Sequence, residues 1–531
     1  MELHLYFTTD IHGNYFSYDF RFRKEGEGSL ERVCGFIEEQ RELYGKDSVL
    51  LVDGGDIIQG GPEAYYLNHI NNKGPHGVGL MTRYVGYDAG VVGNHDIESG
   101  RRALKRYMRT CGYPILAANI INSHGQEQFA PYTIVERQGK RVAIVGFTTP
   151  ATKQWLPQKI CQAYRFRNII NSAKEWVERI RAEEQPDFVV ALLHSGWEGG
   201  LQDRRWEEHA ARRLAEEVSG YDLVLYGHDH FSKVKAMKNP DGKKVVCLNA
   251  GCYGYEVGEA VIRFRSSGET TVSCRLHDIR RFSNQYSERF KSRFTDLHNK
   301  IDAYTNTVIG RLTTTLKIAD AFYGPSDYMS LLHSLQLSVT HADISLCSPY
   351  FTDSVIQPGP FTIADLYTIY WFEDRLYTIR MKGKEIKNLL ERSYWLWTNT
   401  RRRNDVPLLK TYLDKKSGKT YFKNLFFNFD SAAGIDYEVD SHKNRGRKIN
   451  ILQMSDGRAF DMEATYLVTT IANRALGGGG MLTLGAGIPK AELSKRIVSY
   501  TSHDIRHCLR EYIEERGVID VKNLENWKFL L

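Results

Sequence analysis

Five short motifs in the first half of the sequence carry side chains that bind divalent metals. Each sets Asp, His or Asn in or beside a glycine-containing turn: Asp10-Ile11-His12-Gly13, Asp53-Gly54-Gly55-Asp56, Gly93-Asn94-His95, His194-Ser195-Gly196 and Gly227-His228-Asp229-His230. In an extended segment, residues two apart point to the same side, so the pair in the first motif can converge on one ion, and so can the histidines of the last. Carboxylate, imidazole and amide ligands together suit Zn²⁺, Mn²⁺, Fe²⁺, Co²⁺ or Ni²⁺.

The number of these side chains indicates more than one ion. With His95 left over, the candidate ligands are two carboxylates, four imidazoles and one amide, which are too many for a single cation. They fit two cations that lie roughly 3.5–4 Å apart, the spacing of two-metal hydrolases, and share a bridging carboxylate. Each motif alone is typical of an ordinary turn. All five together favour a metal centre that performs hydrolysis.

Each motif follows a short apolar run, which identifies the elements that must position it. The predicted strands are Leu3–Thr9, Val49–Val52, Ala89–Val92, Phe188–Leu193 and Leu223–Tyr226. Helical patterns lie between several of them, at Leu30–Leu43 and Ile169–Glu184. Strands that alternate with helices predict an α/β core with a largely buried sheet. In such sheets the strand ends and the loops after them carry the chemistry.

The pattern changes after the first half of the chain. Residues Ser287–Thr305 are predicted to form one charged amphipathic helix, either a surface helix of one domain or a connector between two. Beyond it, helices mix with strands in an α+β arrangement: Tyr328–Val339, Gly383–Trp397, Leu376–Met381 and Thr465–Thr470. We therefore predict a catalytic domain over 1–284, a helical connector over 285–308 and a second domain over 309–531.

Composition and length exclude several classes of protein. Of the 531 residues, 42% are hydrophobic, so the chain can bury a core and is not disordered. Lys and Arg number 71 against 64 acidic residues, a net charge of +7, which is too mild for a dedicated nucleic-acid protein. No stretch approaches the ~18 apolar residues of a membrane span, and a strand rather than a signal region follows Met1. We expect a cytoplasmic protein with no membrane partner, the alternative being an exported protein whose signal has been removed.

The eight cysteines form no C-x-x-C pair. We predict that they are reduced structural thiols and not metal ligands.

Over residues 1–260 the motifs resemble those of the calcineurin-like metallophosphoesterases, and within them the 5′-nucleotidase / 2′,3′-cyclic-nucleotide 2′-phosphodiesterase family. The resemblance implies a four-layer αββα catalytic domain that holds two divalent ions. It implies one ion at Asp10, His12, Asp56 and His230, and a second at Asp56, Asn94, His194 and His228. Asp56 would bridge the two ions, with Asp53 as the rival carboxylate.

The family also implies a catalytic role for His95, which is not a metal ligand. Relatives hold this histidine with an acidic residue three positions later; many have Asp there, and this chain has Glu98. Asp96 is the other candidate partner. The expected mechanism is attack on phosphorus by water that two metals activate, with His95 stabilising or protonating the leaving oxygen. We find neither a G-x-S-x-G elbow nor a Walker loop, so covalent catalysis is disfavoured.

The second half resembles the C-terminal substrate-binding domain of the same family over roughly 310–520. The matching segments are Tyr370–Leu376, Phe427–Tyr437 and Ile471–Leu476 with the glycine run after it. Relatives stack a nucleobase between two aromatic rings, and Phe372 stands where the first ring would be. The resemblance also implies substrate contacts from Asn473, Arg474, Gly478 and Gly479.

This half also departs from strict 5′-nucleotidases. Met481 stands where many of them have an aromatic residue, and the run 477–480 is all glycine.

The sequence therefore predicts a two-metal hydrolase of nucleotide phosphoesters, a 2′,3′-cyclic-nucleotide 2′-phosphodiesterase and/or nucleotidase. Its partner would be a nucleotide or cyclic nucleotide and not a nucleic-acid polymer. A 5′-nucleotidase or nucleotide-sugar hydrolase on the same core is the alternative, as is a nuclease or phosphoprotein phosphatase. A catalytically silent metal- or nucleotide-binding protein is the alternative from another class. The sequence does not predict the identity of the metal or the oligomeric state.

Overall fold

A computed structural model describes residues 1–156, 160, 162–403, 405–415 and 418–531. The chain divides into two compact units, Met1–Thr305 and Asn306–Leu531. The seven cysteines within the described part are free thiols. The eighth, Cys161, lies outside the described residues.

The first unit contains two six-stranded sheets. Their strands are β1 Glu2–Thr8, β2 Val49–Asp53, β3 Ala89–Val91, β4 Ile115–Leu116, β5 Tyr132–Arg137, β6 Lys140–Thr148, β7 Phe188–His194, β8 Leu223–Tyr226, β9 Lys233–Lys238, β10 Lys244–Asn249, β11 Glu256–Phe264 and β12 Thr270–Asp278. One sheet has the order β12-β11-β1-β2-β3-β4 and the other β9-β10-β8-β7-β6-β5. β1 to β4 are parallel in the first sheet, and β6, β7, β8 and β10 in the second.

Helices cover the outer faces of both sheets. They are α1 Leu30–Tyr44, α2 Gly77–Val85, α3 Asn94–Glu98, α4 Arg101–Thr110, α5 Ile169–Glu183, α6 Ala211–Glu217, α7 Gln285–Arg293 and α8 Thr295–Thr305. The inner faces pack on each other through residues such as Leu5 and Val190. Val33 of α1 and Trp176 of α5 belong to the two outer cores. The predicted four-layer αββα architecture is confirmed.

The prediction of one helix over Ser287–Thr305 is wrong, because the segment forms the two helices α7 and α8. Phe294 separates them with φ −110° and ψ 15°. Its backbone N–H is shared between the carbonyls of Phe290 and Lys291, at 3.1 and 3.2 Å, a tightened last turn that ends α7. The buried rings of Phe290 and Phe294 and the side chain of Ile301 join the core of the first unit. A connector role for this segment stays a prediction.

The second unit is built on a five-stranded mixed sheet. Its strands, in spatial order, are Ser431–Ala433, Ile344–Cys347, Thr465–Ile471, Leu376–Lys382 and Ile497–Tyr500. Its helices of seven or more residues are Asp327–Thr340, Ile363–Ile369, Gly383–Trp397 and Ile505–Arg516. Two three-stranded sheets accompany them, one of Gly359–Thr362, Val308–Leu312 and Val518–Ile519, the other of Ile449–Met454, Ile435–Asp440 and Trp527–Leu530.

Shorter elements occur in both units. They include the strand pairs Tyr18–Asp19 with Lys24–Glu25, Ile120–Ile121 with Arg165–Phe166, Leu316–Lys317 with Val355–Ile356, and Thr411–Leu413 with Thr420–Phe422. Single helical turns occupy Pro62–Tyr65, Thr152–Trp155, Ala472–Ala475 and Leu493–Arg496. Among the helices of the described chain, none combines the length and the apolar character that crossing a membrane requires.

Candidate metal centre

The five predicted motifs meet where strands of the two facing sheets end. Parallel strands direct their carboxyl ends to the same edge of a sheet, so the residues after β1, β2 and β3 lie near those at the ends of β7 and β8. Two groups of ligand atoms result, each with its members within 4.8 Å of one another: Asp10, His12 and His230 in the first cluster, and Asp56, His194 and His228 in the second cluster.

The first cluster brings two imidazoles and a carboxylate into close approach. The Nε2 atoms of His12 and His230 are 3.1 Å apart. Asp10 Oδ1 lies 3.3 Å from Nε2 of His230 and 3.7 Å from Nε2 of His12. Three potential donor atoms therefore face one small volume, as a tetrahedral or octahedral cation requires.

The second cluster is centred on the carboxylate of Asp56. Its Oδ2 lies 2.9 Å from Nε2 of His194 and 3.9 Å from Nε2 of His12. Asn94 Oδ1 also lies 3.0 Å from Nε2 of His194. Asp56 thus stands between the two clusters, in the position that a bridging ligand needs.

Two buried oxygen atoms test whether these residues fit cations. Asp10 Oδ1 and Asp56 Oδ2 have no hydrogen-bond partner among the described residues, although imidazole nitrogens lie close to both. A buried carboxylate oxygen without a partner is costly, and divalent cations would satisfy both atoms. The residues present therefore fit the two ions.

The backbone at this centre adopts a conformation that few side chains tolerate. Five of the predicted ligands have positive φ between 46° and 75°: Asp10, His12, Asp56, His228 and His230. Each such residue costs about 1–3 kcal/mol, and strain of this kind is common at functional sites. Hydrogen bonds between the loops hold it in place, since Asp10 N–H donates to Gly55 O and His12 N–H to Asp56 O, both at 3.0 Å.

Asp96 organises the loops around this backbone. Its carboxylate accepts hydrogen bonds from the backbone N–H groups of Asp56, Ile57, Ile58 and Gly93, at 2.8–3.0 Å. It is therefore occupied with loop backbone. The contact with His95 is made instead by Glu98, whose Oε2 lies 2.5 Å from Nδ1.

The electrostatic surroundings of His95 favour its protonated form. Burial alone lowers its pKa, but the charges of Asp56 and Glu98 outweigh burial and raise the pKa to about 9. Asp56 Oδ1 also accepts the backbone N–H of His95 at 2.8 Å. The imidazole side chain is one third exposed, so it can reach a ligand beside the clusters.

Two further acidic residues lie near the centre. Asp53, the rival ligand, is buried outside both clusters, and burial raises its pKa well above the usual range. Glu208 was not singled out, yet its Oε1 lies 3.1 Å from Nε2 of His228. It stands in a polar run just before α6, where neither spacing nor an apolar run marked it.

The predicted substrate residues of the second unit gather at one edge of its five-stranded sheet. Cys347 pairs with Ser431, and Leu376 pairs with Ile471. The segment that holds Phe372 precedes Leu376, and Asn473 follows Ile471, so strand register brings both to this edge. Phe372 is 42% exposed. Asn473 is exposed as well.

Arg474 is buried beneath that edge. Its guanidinium donates to Asn428 Oδ1 at 3.0 Å, Gly478 O at 2.9 Å and Phe427 O at 2.7 Å, and pairs with Asp430 at 2.9 Å. Arg474 therefore ties the glycine loop to the segment before Ser431–Ala433. Its donors point to protein, and a direct contact with substrate stays a prediction.

The glycine loop needs residues without side chains. Gly479 has φ +66°, and a Cβ there would lie 2.1 Å from Asn428 Oδ1. A Cβ on Gly478 would lie 2.0 Å from Asn473 Oδ1. The loop thus packs directly on two amide side chains.

Phe427 is a further exposed ring at the same edge, 42% exposed. Its carbonyl accepts from Arg474 and, at 2.8 Å, from Ser348 Oγ. Sequence reasoning quoted this segment without identifying Phe427, because a row of aromatic residues does not show which ring faces outward.

This fold and this centre are those of a metallophosphoesterase, a hydrolase of phosphoesters. The calcineurin-like phosphoesterase family model matches residues 3–232, and that of the 5′-nucleotidase C-terminal domain matches residues 308–485. The chain therefore combines an N-terminal domain of the calcineurin-like phosphoesterase type with a C-terminal domain of the 5′-nucleotidase type.

Relatives match both units. The trifunctional nucleotide phosphoesterase protein YfkN of Bacillus subtilis is 24% identical over 590 residues, which cover 99% of this chain but 39% of YfkN. A 2′,3′-cyclic-nucleotide 2′-phosphodiesterase/3′-nucleotidase of Haemophilus influenzae is 23% identical, covering 100% of this chain and 88% of that protein. A crystal structure of a candidate 5′-nucleotidase from Staphylococcus aureus matches with a TM-score of 0.79 at 20% identity, over 100% of both chains, and shows the shared fold.

Proposed function

We propose that this protein hydrolyses nucleotide phosphoesters, with 2′,3′-cyclic nucleotides and nucleoside monophosphates as substrates. The observation that carries the proposal is the pair of ligand clusters with Asp56 between them and two carboxylate oxygens unsatisfied. The named activity of the Haemophilus relative supports the choice of cyclic nucleotides.

The residues around the clusters suit attack on phosphorus. Two bound cations, of Mn²⁺, Zn²⁺, Fe²⁺, Co²⁺ or Ni²⁺, would supply Lewis acidity and a water molecule of lowered pKa. His95, kept protonated by Asp56 and Glu98, can stabilise charge on a phosphate oxygen or give its Nε2 proton to the leaving oxygen. Glu98 accepts the Nδ1–H of His95, which leaves Nε2 as the nitrogen available to a phosphate.

The second unit offers surfaces for the nucleoside part. Phe372 and Phe427 are exposed rings at one sheet edge, and stacking of a base on such a ring contributes about 1–3 kcal/mol. Asn473 is exposed beside the glycine loop, where its amide can bond a base or ribose. We propose these residues as the nucleoside site, with Arg474 fixing the loop that carries it.

A 5′-nucleotidase is the second candidate, because the C-terminal family model and the Staphylococcus structure both carry that description. A nucleotide-sugar hydrolase would use the same metal centre. These activities differ in the leaving group and not in the ligand clusters.

A substrate panel tests the proposal. The full chain, stripped of metal and reconstituted with Mn²⁺, is assayed with 2′,3′-cyclic AMP, 3′-AMP, 5′-AMP, UDP-glucose and an aryl phosphate. We expect turnover of the cyclic nucleotide and of at least one monophosphate. Turnover of 5′-AMP or UDP-glucose alone replaces the proposal by the second candidate. Metal binding without any turnover would establish a silent binding protein.

A further inference from the structure

The carboxylate of Glu208 contacts a predicted metal ligand without belonging to the two clusters. Its Oε1 lies 3.1 Å from Nε2 of His228, and its Oε2 accepts the backbone N–H of Leu201 at 2.5 Å. The side chain is 14% exposed. One oxygen is therefore anchored to backbone, while the other lies between two imidazoles, nearer to Nε2 of His228 than to Nε2 of His209, which is 3.4 Å away.

The backbone of Glu208 is fixed independently of its side chain. Its carbonyl accepts hydrogen bonds from Thr149 Oγ1 at 2.9 Å and from Ser195 Oγ at 2.6 Å. Ser195 directly follows His194, a member of the second cluster. The backbone that carries the carboxylate is thus tied to the residue that follows β7.

His228 needs an external restraint on its ring. Its backbone has φ +75°, and its N–H donates to Asp10 Oδ2 at 2.9 Å, which fixes the main chain but does not set which ring nitrogen carries the proton. The ring lies 5.6 Å from that of Trp155 and 5.5 Å, edge on, from that of His209. Among these neighbours, the carboxylate of Glu208 is the partner that distinguishes one ring nitrogen from the other.

A neutral imidazole carries one N–H and one lone pair, and the hydrogen bond of one nitrogen selects the other as ligand. We propose that Glu208 is a positioning residue: it accepts the Nε2–H of His228 and so directs the Nδ1 lone pair of that ring to the second cation. This inference rests on the proposed two-metal function.

A third cation is the competing explanation of the same geometry. Glu208, His209 and His228 also have ligand atoms within 4.8 Å of one another. His209 Nδ1–H donates to Glu198 O at 3.1 Å, which leaves its Nε2 facing Glu208. A third ion would require His228 to bind cations through both nitrogens and lose both N–H protons, so the geometry favours a hydrogen bond.

Metal titration of the full chain separates the two explanations. Metal-free wild type, Glu208→Ala and Glu208→Gln are titrated with Co²⁺, and affinity and stoichiometry are measured together with the visible spectrum. We expect two ions in each protein. One of the two ions, the one that His228 would bind, should lose about 10–100-fold in affinity in Glu208→Ala, the usual effect of removing a hydrogen-bond partner of a ligand. Glu208→Gln, whose amide oxygen can still accept, should recover part of the loss.

Glu207→Ala is the matched control. Glu207 precedes Glu208, has the same 14% exposure, and pairs with Arg213 at 2.7 Å instead of a histidine. We expect wild-type affinity in this variant. Equal affinity of Glu208→Ala and wild type would overturn the positioning role. Three ions in wild type and two in Glu208→Ala would also overturn it, in favour of the third site.

A spectroscopic measurement on wild type reads the ring of His228 directly, and a variant is needed only to assign its signals. With ¹⁵N-labelled histidine, metal-free protein should show His228 as the Nε2–H tautomer, assigned by loss of its signals in His228→Gln. The Nδ1–H tautomer would overturn the proposal. A wild-type protein that binds no cation would refute the proposed function itself, which is a separate outcome.

Discussion

Both units place their predicted functional residues where strands of a sheet begin or end, but the polar atoms there are paired differently. In the first unit, Asp10 Oδ1 and Asp56 Oδ2 are buried without a hydrogen bond, facing imidazole nitrogens. In the second unit, the buried Arg474 donates to Asn428 and to backbone carbonyls and pairs with Asp430.

The difference indicates what each edge does. Buried carboxylate oxygens that lack hydrogen bonds and face imidazole nitrogens suit a ligand from outside the protein, here two cations. Buried groups that satisfy one another hold a surface in shape, here the loop beside Phe427 and the glycine run. Substitutions at the first edge are therefore expected to lower metal binding and turnover. Substitutions at the second edge are expected to lower the stability of the fold.

The largest effect is expected from Asp56→Asn. The amide keeps the shape of the side chain but removes the charge that both clusters share, so the ions should be lost and turnover should fall to background. Metal analysis and turnover of the reconstituted protein measure this. Asp53→Asn is the control, because Asp53 is a buried carboxyl near Asp56 that belongs to neither cluster, so metal content and turnover should stay close to those of wild type. Full activity of Asp56→Asn with metal bound would contradict the bridging position.

His95→Asn should reduce turnover by about 10²–10⁴-fold, the scale of lost acid–base assistance, without changing the metal content. The reason is that His95 lies beside the clusters but outside both of them. Steady-state rates and metal analysis on the same preparation check this. An unchanged rate would reassign His95 to the structure of the loop.

Arg474→Met tests the second unit. Removal of one partner of a buried ion pair is expected to lower the free energy of unfolding by about 3–5 kcal/mol, because Asp430 is left buried and unpaired. Unfolding of the full-length variant in denaturant measures this loss. Before unfolding, the metal content of the variant should be that of wild type. Arg403→Met, which removes an exposed partner of Asp405, should have little effect. If Arg474→Met is equally stable but binds nucleotide poorly, Arg474 contacts substrate directly.

The smallest effect concerns His333, a histidine that is buried but not near any metal cluster. Burial lowers its pKa to about 3, and its ring bonds to Ser345 and Ser431. Since the folded pKa lies below the unfolded value of about 6.5, its contribution to stability is complete above pH 6.5 and is lost as the pH falls. Between pH 7 and pH 5 the loss should be about 2 kcal/mol.

Denaturation midpoints of wild type and His333→Gln at both pH values measure this difference. The variant should lack this part of the acid sensitivity. His442→Gln, at an exposed histidine, should retain it. The same pH dependence in wild type and His333→Gln would show that other groups dominate.

Much of the fold was predictable from local pattern. The predicted run Leu223–Tyr226 is the observed β8, and Phe188–Leu193 differs from β7 by one residue. The predicted helix Gly383–Trp397 is also observed with the same bounds. These segments are predictable because alternation, apolar runs and helical periodicity are properties of neighbouring residues. The break between α7 and α8 was not predictable in this way, because it accompanies the packing of Phe290 and Phe294 in the core of the first unit.

By itself the sequence determined the types of ligand, their location after apolar strands, and the order of the two units, since composition and spacing act along the chain. Only the tertiary structure decided which carboxylate stands between the clusters, that Glu98 rather than Asp96 contacts His95, and that Glu208 lies against His228. It also showed that Arg474 is buried and Phe427 exposed. These outcomes depend on distances between segments far apart in the chain, which close packing of sheets and loops sets and local pattern does not encode.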